Sequence, residues 1–427
     1  MAQRRSSNRV DVGEGAGKRR KGITHRYRAP VRVLAMFVAA AIGAWLGPVF
    51  RPRMGHAFPK RAERAIQNNR GFDGRRGPWG QFQYSRIAIS MPDEAVNEEP
   101  LGPIRWWFEG FSRERVESLF RDAGLTPDQL GSLRPDGWET SAEGVVVSPP
   151  RQLVADLSPT SRGRIYEALS GSPLNEAQHT PEVLYPEYVD ERLESSGLGD
   201  QAIGMFRKLL YPRGSRLLFS DTQVVLPTLP DSQQRKRFQQ VVHRKMTFLV
   251  QLVIDDTSDI DAMVAYWDYP GRPKGLRTLF ESLARVPGGG ELDIAHLLPP
   301  FARKRLYTFP DPSTDSAAPK HDCVWTSLNF FNDQADDRLA DPKYTHKLIA
   351  EEYERVDSPR FGDIAVLLTP DKQSVHAAVY LADDLVFTKN GFSATQPWML
   401  MTLPDVVEYY WTAVPNSIEL QYFRHKR

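Results

Sequence analysis

The stretch FGDIAVLLTPDKQSVHAAVYLADDLVFTKNG, residues 361–391, constrains the fold most, because three strands are legible in it. DIAVLL (363–368) is a continuous apolar run of the kind that is buried on both faces. In SVHAAVYLA (374–382), Val375, Ala377, Val379 and Leu381 point one way, and His376, Ala378 and Tyr380 the other. LVFTKN (385–390) follows after Asp383 and Asp384, which predicts an antiparallel hairpin through a tight turn. His376 therefore stands on a strand among small neighbours, where a helix end can approach it.

The chain's single cysteine lies upstream, in HDCVWTSLNFF, residues 321–331. Asp322 is a strong helix N-cap type, and Val324, Leu328 and Phe331 recur at helical spacing. Cys323 is thus expected at the first turn of a helix, where free backbone N–H groups and the helix dipole favour a thiolate. A lone cysteine is otherwise most often a small buried hydrophobe. A thiolate nucleophile needs a base and the base an orienting partner, so a downstream strand histidine turns attention to the pair Cys323 and His376. His321 is expected beside the helix cap, and Trp398 as a core aromatic or a wall of a cleft. One cysteine excludes an internal disulfide.

Order and spacing of these pieces resemble the NlpC-type papain-like cysteine peptidases. The matching elements are DC opening an apolar helix, GDI opening a strand, VHAAVYL as the histidine strand and LVFTKNG as the next strand, within residues 301–427. The resemblance implies Cys323 as nucleophile and His376 as general base. It implies a polar third residue on the following strand, which an ungapped count puts at Thr388. Asn390 is the better chemical match and is preferred, since its side-chain oxygen can accept from the imidazole N–H. The family's usual DCSG is absent, as Val324 and Trp325 follow the cysteine. The implied activity is amide hydrolysis in cell-wall (peptidoglycan) peptides by a Cys–His pair. Two other classes stay open: an inactive envelope scaffold or binding module, and a lipid acyl hydrolase or transferase. No cofactor or metal is implied.

Elsewhere the chain reads as follows. Residues 1–32 hold ten Lys or Arg and only Asp11 and Glu14, giving a tail of +8 on a chain of net +2. Residues 33–50 are 18 consecutive uncharged residues, expected as an uncleaved transmembrane signal anchor with the basic tail cytoplasmic and the body periplasmic or extracellular. Residues 51–85 read as a linker, and 86–300 as a mainly helical accessory domain, including one helix over 231–254. Within it there is no nucleotide or metalloprotease motif. The acidic cluster Asp255, Asp256, Asp259 and Asp261 lacks the glycine and glutamate of a calcium loop. No basic stripe interleaved with aromatics lies in the body, so nucleic acid is not an expected partner. The expected fold class is α+β: an N-terminal transmembrane helix, a mainly helical domain, then a papain-like domain with a helix on a small antiparallel sheet.

Overall fold

The computed structural model describes residues 71–96, 101–311, 321–413 and 418–426. The expected tail and signal anchor fall outside them. Among the described residues no helix is long and apolar enough to cross a membrane.

Residues 86–300 mix helices with strands and are not mainly helical, which corrects the expected fold class. Strands β1 (Phe72–Asp73) and β2 (Gln81–Ile89) begin the described chain, so part of the expected linker is sheet. Next come β3 (Trp106–Glu109), β4 (Trp138–Thr140), β5 (Gly144–Val147), β6 (Glu182–Leu184), β7 (Tyr211–Arg213) and β8 (Arg216–Phe219). These form two three-stranded sheets, β3-β5-β4 and β6-β8-β7. Helices Pro159–Ser170, Asp200–Leu209 and Ser232–Val242 pack on them around Trp106, Phe120, Tyr166, Phe206 and Phe238. The single helix expected over 231–254 ends at Val242, and Lys245–Ile254 is strand β9. Its residues KMTFLVQLVI are rich in strand formers, and most of alternate positions are buried, the period of two. With β10 (Gly290–Asp293) it completes a four-stranded antiparallel sheet, β1-β2-β9-β10.

The last third holds β11 (Tyr353–Val356), β12 (Ile364–Leu368), β13 (Ser374–Ala382), β14 (Leu385–Lys389), β15 (Trp398–Thr402) and β16 (Glu419–His425). They make one antiparallel sheet of six strands, ordered β11-β16-β12-β13-β14-β15. That is larger than the small sheet expected. The Asp383–Asp384 turn has both residues at positive φ, 51° and 84°, as a two-residue hairpin of primed type requires. Arg75 reaches that turn, its Nε donating to Asp383 at 2.6 Å.

Each face of this sheet is covered. Helix α1 (Cys323–Leu328) packs on β13 and β14, with Val324, Trp325 and Leu328 against Ala377, Val379 and Phe387. Helix α2 (Leu403–Ala413) covers the opposite face, over Ala378, Val386, Met399 and Met401. The core under α1 is continuous with that of the four-stranded sheet: Phe82, Phe248, Val250 and Leu252 belong to it too. Thr247 of β9 joins the two sheets, its hydroxyl donating to Leu400 O (2.8 Å) and accepting from Leu400 N (3.1 Å).

Candidate functional site

Asp322 caps α1, its carboxylate accepting from Trp325 N at 2.9 Å. That fixes Cys323 as the first helical residue, and the cysteine stays partly exposed. Trp398 anchors the helix by donating from Nε1 to Thr326 Oγ1 at 3.0 Å; it is a core residue, 4 % exposed. His321 stacks on Trp325 with centroids 3.7 Å apart and touches Asp337 at 3.2 Å.

His376 approaches the same end of β13 from the other face. Alternation along β13 puts it on the α2 side, where its ring stacks on Tyr410 at 4.3 Å. Its Nε2 meets Thr388 Oγ1 at 2.8 Å, and its Nδ1 has no hydrogen-bond partner among the described residues. The backbone N–H of Ala377, the next residue, faces the Cys323 sulfur and favours its thiolate. Tyr410, stacked on His376, lies close enough to Cys323 and Asp322 to feel their charge. Cys323 and the His376–Thr388 pair thus lie near the same end of β13 but on opposite faces of the sheet.

Asn390 lies beyond the end of β14. Its Nδ2 faces Met401 Sδ at 3.3 Å, its Oδ1 has no partner, and it does not bond His376. The β13–β14 ladder reaches only to Val379 and Phe387; Thr388 still belongs to β14, whereas Asn390 lies beyond the strand's end at Lys389.

Sequence reasoning missed Lys389. It is fully buried, and its Nζ donates to Gly391 O (2.7 Å) and Ser393 O (3.1 Å). It sits on the α1 face, pairing with Trp398 across β15, within electrostatic reach of Asp322 and Cys323. A lysine inside an apolar strand was the available signal, since an unpaired lysine is almost never fully buried.

Electrostatics correct one expectation. The helix start does not produce a thiolate: burial, then the adjacent Asp322 carboxylate, pushes Cys323 up to about 12. Helix α1 has only 6 residues, so its dipole is weak against that burial. Burial pushes His376 down to about 3 and Lys389 down to about 7. At neutral pH the centre holds a thiol and a neutral imidazole. With Nδ1 unpartnered, the imidazole proton belongs on Nε2, donated to Thr388 Oγ1, which leaves Nδ1 basic.

Among the described residues no group of three His, Cys, Asp or Glu is placed to hold a metal. No family model, curated protein or solved structure matches this chain.

Proposed function

We propose that the protein is a cysteine-dependent acyl hydrolase in which Cys323 is the nucleophile, the role that the family resemblance implies. One observation carries the reading: the partly exposed Cys323 opens a helix capped by Asp322, with the backbone N–H of Ala377 facing its sulfur and Lys389 within electrostatic reach.

Cys323 rests as a thiol, so its thiolate forms only as an acyl carbonyl is attacked. As the sulfur attacks an acyl carbonyl, solvent carries its proton to the leaving amine, and water then releases the acyl group from sulfur and restores the thiol. Cell-wall peptides and an envelope location belong to the proposal and are supported only by the family resemblance and the basic, apolar sequence of residues 1–50.

The test is acyl trapping on the full chain. Incubation with peptide amides or thioesters and quenching in acid is expected to yield an acyl adduct on Cys323, with turnover lost in Cys323→Ala. Turnover that survives Cys323→Ala sinks the reading. A second reading, an inactive scaffold, is favoured by the Tyr410 ring lying on His376; the absence of an adduct with any acyl donor would select it.

A further inference from the structure

A second polar centre lies on the α2 face of the six-stranded sheet, where that sheet meets the accessory region. It is a partly open cavity of about 30 Å³ lined by Arg192, Arg216, Arg244, Lys245, Asn390 and Asp405. Four cations face it against few carboxylates, and the ion pairs use up only two of them. Arg216 is paired with Asp405 at 3.1 Å and with Glu408, and Lys245 with Glu182.

Arg192 and Arg244 make no ion pair with a described residue. Arg192 is 6 % exposed, and its guanidinium donates only to the carbonyls of Val241 and Val242 (3.2 Å each) and of Arg244 (2.7 Å). Arg244 bonds Ser195 Oγ at 2.8 Å, and its Nε is buried without a partner. Burial pushes Arg192 down to about 10. Glu182 lies within electrostatic reach of Arg192, and Glu191 of the half-buried Arg244, but neither carboxylate pairs with its guanidinium, and an entering anion would supply that partner. The third unmet demand is of opposite kind: Asn390, 5 % exposed, holds Oδ1 at the cavity with no donor.

We propose that this cavity binds the carboxylate of a small ligand, held by Arg192 and Arg244, with Asn390 Oδ1 accepting from an N–H next to that carboxylate. The class is an N-acylated amino acid or the free C-terminal end of a peptide. Planar guanidinium groups suit a planar carboxylate. The enclosed room fits such a head group and sends the rest of the ligand out through the opening. Asn390 also follows Thr388 by two residues, so the cavity adjoins the His376 side of the candidate site.

N-acetylglycine is the probe, with sodium acetate, phosphate and chloride at equal ionic strength. On the full chain, N-acetylglycine is expected to raise the unfolding temperature by about 2–4 °C at saturation. Acetate should raise it less, and chloride not at all. Asn390→Asp places a carboxylate among the unpaired guanidinium groups; it is expected to raise the unliganded melting temperature and abolish the N-acetylglycine shift. Arg192→Gln, if it folds, is expected to abolish the shift too. Cys323→Ala should retain it in full, so binding here and chemistry at Cys323 fail separately. The proposal is overturned if neither carboxylate exceeds chloride, if phosphate alone protects, or if Asn390→Asp keeps the N-acetylglycine shift.

Discussion

Thr388 holds the imidazole of His376 through one hydroxyl, with no carboxylate behind it. Thr388→Val keeps the shape and deletes the acceptor, leaving Nε2 unmatched in a dry site. It is expected to cost about 1–3 kcal/mol in urea unfolding; an unchanged midpoint would show that the hydroxyl does not hold the ring. Asn390→Ala leaves that bond in place, because Asn390 does not contact the ring. Cys323 itself is expected to alkylate slowly. With its thiol pushed up to about 12, iodoacetamide labelling at pH 8 should run at least tenfold below that of an unstructured peptide thiol and keep climbing with pH past 9. A plateau below pH 8 would show a thiolate that this burial does not allow.

At the scale of elements, the Asp383–Asp384 turn offers a direct check. Asp384 sits at φ 84°, where glycine is at ease and a Cβ is not. Asp384→Gly is expected to raise stability by about 0.5–1 kcal/mol, read as a higher urea midpoint, even after losing the exposed pair with Arg75. How much of the molecule could be read beforehand follows from such details. The hairpin, the histidine strand and the Asp322 cap were legible because their signals are local: alternation, turn residues and a capping side chain. Strand β9 was not. No glycine or proline separates it from the preceding helix, and the chain turns at His243 by bonding the distant Glu182, a partner that spacing cannot reveal. The choice between Thr388 and Asn390 was lost for the same reason, since it rests on where β14 leaves β13.

For the whole molecule, acid stability should report the buried histidine. His376 is pushed down from an ordinary 6.5 to about 3. Between those values the unfolded chain binds the proton and the native one does not. Its contribution is therefore complete above pH 6.5 and is lost as pH falls toward 3. That adds a slope of up to about 1.4 kcal/mol per pH unit. Urea unfolding of His376→Gln across pH 4 to 6.5 is expected to show a flatter dependence than the parent; identical slopes would mean the ring is not buried neutral. Lys389, pushed down to about 7, acts in the same sense on the alkaline side: stability rises with pH from about 7 toward 10.5, and Lys389→Met should level that rise.

The hydroxyl of Thr247, stitched to both sides of the Leu400 peptide, has a consequence for how this protein can have been assembled. Phe248, Val250 and Leu252 fill the same interior as Trp325 and Phe387. A fragment beginning near residue 301 would present that interior as a raw oily wall and would clump when expressed by itself. The histidine strand and its distant platform share one interior, so the last third is not expected to fold as a separate piece.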